Sequence, residues 1–163
     1  MDWVLAILLF LHVGGAVLAF GPTFTFPLIG GMGGREPQHV NFALRVQNRI
    51  ANVLVVPLAL FQGVTGLLLV WKTGFNLFAI NWLLVGVALY LVALGIALGI
   101  SLPAVRKLIQ LTSAPPPAPP PGAPAPTGPP PHIAALVKRA RSAGMVNAVL
   151  ILVIVFLMVT KPF

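Results

Sequence analysis

Four long stretches of the chain hold no Asp, Glu, Lys or Arg in their interiors: Trp3 to about Gly30, about Ile50 to Trp71, about Phe78 to Leu102, and about Met145 to Thr160. A helix that crosses a bilayer needs about 20 mostly apolar residues, because a rise of ~1.5 Å per residue must cover a hydrocarbon core of ~30 Å. The fourth stretch is the shortest, yet its core from Val149 to Val159 is wholly apolar. The chain therefore reads as all-α, an integral membrane bundle of four transmembrane helices forming a single membrane domain over residues 1–163.

Composition supports this and narrows the chemistry. Charged residues make up 7% of the chain, against roughly 25% in soluble domains. Mean hydropathy is +1.01. The absence of cysteine excludes disulfides, thiolate metal sites and cysteine nucleophiles. Asp2 and Glu36 are the only acids, so paired-carboxylate catalysis has no candidates, and no Ser, His and acid constellation can be assembled.

Orientation follows from the cations. Arg35, Arg45 and Arg49 lie between spans one and two, and Arg106, Lys107, Lys138, Arg139 and Arg141 between spans three and four; Lys72 and Lys161 lie on the other side. Loops rich in Lys and Arg stay cytoplasmic, which places both termini outside. The net charge of +8 then reads as topology plus attraction to membrane lipid, with no nucleic-acid partner. The first stretch reads as a retained span rather than a cleaved leader, since Asp2 stands where a leader carries basic residues.

Between Ser113 and His132 the chain holds eleven of its seventeen prolines. Proline fixes φ and lacks a donor, so this cytoplasmic linker (113–132) should be polyproline II, serving as a semi-rigid spacer or a docking strip. The basic segment Ile133 to Arg141 should lie on the membrane surface before turning into span four.

Pro22 and Pro27 predict a kinked first span. They free the carbonyls of Leu18 and Thr23, for which Thr23, Thr25 or a neighbouring helix are the available donors. Pro37 suits a first helical turn, so the second helix should start there in the cytoplasm and run into span two, with room for a bend at Pro57. Asn41, Arg45, Asn48 and Asn52 recur on it at helical spacing, and the stripe continues through Ala59 to Gln62 and Gly66. Such a stripe either glues helices together or forms a hydrated path, as in a small transporter. Span three offers Gly95 and Gly99 in a small-xxx-small arrangement for close helix contact, with Asn81 and Tyr90 as its polar residues.

His12 is the ionisable side chain inside the bilayer, ~14 Å down span one and close to the midplane. Intramembrane histidine suggests a haem or metal ligand, or a proton carrier. Gly15 and Ala16, one turn along, leave space for a flat macrocycle or another backbone. The alternative is a neutral histidine hydrogen-bonded to a neighbouring helix. His39 belongs roughly 30 Å away and His132 in the linker, so a bis-histidine haem would need a second protomer, a partner protein or a non-histidine ligand.

The run Leu11-His12-Val13-Gly14-Gly15-Ala16-Val17-Leu18-Ala19-Phe20-Gly21-Pro22-Thr23-Phe24-Thr25-Phe26-Pro27, followed by Val56-Pro57-Leu58-Ala59-Leu60-Phe61-Gln62-Gly63-Val64-Thr65-Gly66, resembles a bacterial family of small four-helix integral membrane proteins of unknown function. The Leu-His start is also similar to the first span of copper-resistance-D-type proteins and of the haem-containing protoporphyrinogen oxidase, an analogy that reaches His12 alone. The resemblance implies a bacterial cytoplasmic (inner) membrane. The leading expectation is a non-enzymatic accessory or structural subunit that forms a homo-oligomer or joins a larger membrane complex. The alternatives are a haem-binding redox protein using His12 and a small transporter using the polar stripe.

Overall fold

The structure, a computed structural model, describes residues 2–113 and 128–162. Four helical rods account for nearly all of them: α1 (Trp3–Arg35), α2 (Pro37–Thr73), α3 (Asn81–Leu111) and α4 (Pro131–Thr160). Each is long and apolar enough to cross a membrane. They alternate in direction, α1 packing on α2 and α3 on α4, and the two hairpins meet where the basic halves of α2 and α3 lie together. Both described ends, the turn between α2 and α3, Lys72 and Lys161 share one end of the bundle. The remaining eight cations share the other.

The helix ends have local causes. Asp2 caps α1, accepting the amides of Val4 and Leu5 at 3.1 and 3.2 Å. Pro37 opens α2 in a short 3-10 turn, as expected of a residue with no amide to satisfy. Gly74, at φ +69°, ends α2; its amide bonds the Trp71 carbonyl while that of Phe75 bonds Val70. α3 starts at Asn81 rather than near Phe78, because the Asn76 side chain accepts the Phe78 amide and its carbonyl accepts that of Ala79, which holds a turn there.

One expectation changes. The segment 133–141 does not turn along the membrane surface: α4 is one uninterrupted helix from Pro131 to Thr160. Its alanines favour helix, and no proline follows Pro131 to break it. The proline-rich run over 113–132 lies outside the described residues, apart from Ser113 and residues 128–132.

Prolines inside the rods are met in two ways. In α1, Gly21–Thr25 winds as a 3-10 turn. The hydroxyls of Thr23 and Thr25 bond the carbonyls of Phe20 and Pro22, at 2.6 and 2.7 Å, instead of those of Leu18 and Thr23. The Thr23 carbonyl takes the Phe26 amide, and Gln47 of α2 bonds the Phe26 carbonyl at 2.8 Å. In α2 and α3 the widened π turns Ala51–Val55 and Ala97–Ser101 end just before Pro57 and Pro103. A wider turn moves the preceding carbonyls clear of the proline ring.

Side-chain interlock is uneven. A Cβ at Gly63 would stand 2.6 Å from the Tyr90 hydroxyl, which donates to the Ala59 carbonyl at 2.9 Å. A Cβ at Gly86 would stand 2.6 Å from the Met158 methyl, the end of a flexible chain. Gly63→Ala is therefore expected to break the Tyr90 hydrogen bond and lower stability by about 1 kcal/mol, as Tyr90→Phe does. The double variant should cost little more than either single change, and Gly86→Ala should cost less. Reversible unfolding in mixed micelles measures all four.

At the opposite end from the basic cluster, Lys72 pairs with Asp2 at 3.0 Å. The hydrogen bond from Lys72, helped by the Leu5 amide, holds the Asp2 carboxyl below the usual carboxylate range. A depressed folded-state pKa stabilises at neutral pH, and the contribution is lost as pH falls through that value. Asp2→Asn is expected to loosen the first turn of α1 at pH 7 and to match the wild type at acid pH, as read by hydrogen exchange at Val4 and Leu5.

Candidate functional site

His12 stands on α1 opposite Gln62 and Thr65 of α2. Its Nδ1 lies 3.0 Å from Thr65 Oγ1 and its Nε2 lies 3.0 Å from Gln62 Nε2. Gln62 and Thr65, 8% and 2% exposed, are the two buried polar side chains among the described residues, and both touch this imidazole. Thr65 directs its hydroxyl hydrogen at the carbonyls of Phe61 and Gln62, 3.0 and 3.1 Å away. Its oxygen is therefore left to accept from His12 Nδ1–H. The lone pair on Nε2 then accepts from the Gln62 amide, which makes a neutral imidazole with both nitrogens engaged. Gln62 Oε1 is buried without a partner.

Glycines make the approach possible. A Cβ on Gly66 would come within 3.1 Å of His12 Cε1, so the ring lies against bare backbone. Across the seam, a Cβ on Gly15 would meet Gln62 Oε1 at 3.2 Å and Phe61 Cδ1 at 3.3 Å. One glycine on each helix admits the other helix's side chain. The space that Gly15 was expected to leave for a macrocycle is thus filled by Phe61 and Gln62, and Ala16 beside it is half-buried.

In this arrangement a haem iron has no free imidazole nitrogen to bind. Coordination by His12 would require it to give up Thr65 or Gln62, and the position over Gly15 is taken. His39 belongs to the basic end, beside Glu36 at 3.7 Å. Among the described residues, no group of three or more His, Cys, Asp or Glu side chains could hold a metal ion.

The polar stripe of α2 divides between two neighbours. Asn41 donates to the Ile109 carbonyl and to Thr112 Oγ1, both at 2.9 Å, tying α2 to α3. Asn52 bonds the carbonyl and side chain of Asn48, and its own oxygen accepts from Arg106 at 2.8 Å. Gln62 faces α1 instead. Arg45 is exposed. Gly95 and Gly99 on α3 are exposed, and a Cβ on either would meet nothing within 4 Å. Among the described residues the close contacts inside the chain fall at Gly15, Gly30, Gly33, Gly63, Gly66 and Gly86.

Sequence reasoning passed over Thr65 and Gln47, and named Tyr90 without its partner on α2. Thr65 was within reach: it follows Gln62 by three residues, on the stripe that runs to Gly66. Gln47 lies off that stripe, and its partner is a carbonyl whose exposure depends on how α1 rewinds after Pro22.

Intramembrane hydrogen bonds are worth about 0.6 kcal/mol on average and up to ~1.7. Thr65→Val and His12→Leu are each expected to destabilise the α1–α2 hairpin by about 1 kcal/mol. The double variant should fall short of the sum by roughly 0.5–1.5 kcal/mol. Unfolding of the four proteins in one micelle composition reads the coupling directly.

Compared with known proteins, the chain matches no curated protein and no solved structure at a significant level. A family profile does match, over residues 6–162, and thereby takes in all four spans together with His12, Gln62 and Thr65. The chain belongs to the family described as predicted integral membrane protein (DUF2269).

Proposed function

We propose that this integral membrane protein is a non-catalytic accessory or structural subunit, forming a homo-oligomer or joining a larger membrane complex. The observation that carries the reading is the engagement of both His12 nitrogens by α2. The one ionisable side chain near the midplane is spent on holding two helices together, which favours a packing role over cofactor or proton chemistry. Asn41 and Asn52 of the stripe are likewise bonded to α3, and Asn48 to Asn52, which favours glue over a transport path.

Association has a face to use. Gly95 stands on α3 with open space beside it, where a second helix can approach backbone to backbone; Gly99, four residues on, borders the α3–α4 seam. By the positive-inside rule the basic end is cytoplasmic in a bacterial inner membrane, with both termini outside. The native chain has no cysteine, so a single introduced one reports this cleanly. Ser113→Cys is expected to resist a membrane-impermeant maleimide in intact spheroplasts, and Thr160→Cys to react.

Extraction from native membranes in mild detergent, followed by native electrophoresis and crosslinking, tests the assembly. The expected result is a colourless complex larger than one chain, reduced in size by Gly95→Leu. A lone monomer, or a Soret band that disappears in His12→Ala, overturns the reading.

A further inference from the structure

At the basic end, a groove opens along the seam where α3 and α4 pack. A cavity of about 340 Å³ lies between them, with Lys107 of α3 and Arg139 of α4 in its wall. A second, of about 270 Å³, adjoins it through Ile100 and Arg139 and continues between Ile96 and Val146. The gap has a backbone cause. The π turn Ala97–Ser101 and Pro103 interrupt α3 here, and Gly99 puts no side chain into the space.

The position along the rods matters as much as the lining. Counted from Asn81 and Thr160 at the other end, Ile96 and Val146 lie about 21–23 Å along their helices, inside a ~30 Å hydrocarbon layer. Arg139 and Lys107 lie about 32 and 39 Å along, at the level of the head groups. One continuous cleft thus runs from apolar walls in the hydrocarbon to a cationic rim at the interface.

Among the described residues the rim has no counter-ion: the ion pairs are Lys72 with Asp2, at the far end, and His39 with Glu36. Eight cations and a single acid gather at this end, so the missing charge is anionic and external. We propose that the cleft binds an anionic phospholipid of the leaflet at the basic end. Its phosphate sits between Lys107 and Arg139, with Ser142 beside them, and an acyl chain lies along Ile96, Ile100 and Val146. Basic pockets between helices are suited to such head groups, and the apolar continuation distinguishes a lipid from free phosphate.

The test uses the full-length protein in neutral detergent at about 0.15 M salt, where exposed charges more than ~8 Å apart are largely screened. Native mass spectrometry counts bound phosphatidylglycerol, phosphatidylcholine with the same acyl chains, and inorganic phosphate. The expected result is selective retention of phosphatidylglycerol, weakened at least about tenfold by Lys107→Gln with Arg139→Gln. Val146→Trp, which fills the apolar arm, is expected to weaken it as well. Arg35→Gln with Arg49→Gln removes the same charge from the other hairpin and should leave binding unchanged. Equal loss in that variant, equal retention of phosphatidylcholine, equal binding of phosphate alone, or no phosphatidylglycerol retained overturns the proposal. All four substituted cations are exposed, so a circular dichroism spectrum like the wild type's separates lost binding from lost fold.

Discussion

Hydrocarbon offers no partner to a backbone amide, a carbonyl or a hydroxyl, so each polar group in a spanning segment must find one inside the protein or remain at a cost of several kcal/mol. Most features of this chain answer to that requirement. The prolines of α1 would strand carbonyls, and the rod rewinds as a 3-10 turn while Thr23, Thr25 and Gln47 bond the carbonyls exposed there. In α2 and α3 the π turns do the corresponding work before Pro57 and Pro103. His12 is held to the same terms: its two nitrogens reach two side chains that are themselves anchored on α2.

Lipid tails are as apolar as leucine, so burial alone gives two helices in a bilayer little reason to meet. Association rests on close fit and on polar bonds, and glycine provides the fit. At Gly15 and Gly66 the absent Cβ on one helix is the space that a polar side chain of the other fills, so fit and bonding are achieved at one place. At Gly63 the same device seats Tyr90 against the Ala59 carbonyl. Gly95 has open space beside it without an occupant, and within one chain that face is left to lipid or to another protein.

The number of spans, their alternation and the sorting of cations to one end were legible because they depend on one-dimensional quantities, run length and charge order. So was the single helix from Pro37 through span two, since proline at a helix start and an unbroken pattern both act locally. The His12 cluster was half legible. Depth along the helix marked His12, and periodicity marked Gln62, but their pairing depends on the axial stagger of α1 against α2, which neither segment encodes alone. The course of 133–141 was misread because an amphipathic basic segment suits a membrane surface and a helix extending into water equally well. The continuity of α4 decides it.

The two hairpins are joined by different forces. Between α1 and α2 lie the His12 cluster, the Gln47 bond and the Asp2–Lys72 pair, and between α2 and α3 the Asn41, Arg106 and Tyr90 bonds. Between α3 and α4 there is no side-chain hydrogen bond among the described residues; the buried side chains of α4 are Ala143, Ile151 and Leu157, the buried Ser101 and Asn147 oxygens have no partner, and the charged contact is Lys161 over the Trp82 ring. Directional bonds fix the distance and rotation of the first hairpin. Apolar packing constrains the second less, since van der Waals contacts can be exchanged for contacts with a lipid chain at little cost. A cleft that admits an acyl chain can therefore open between α3 and α4, where separating the helices breaks no hydrogen bond among the described residues, whereas the same separation at α1 and α2 would leave His12 and the Gln62 amide unpaired in hydrocarbon.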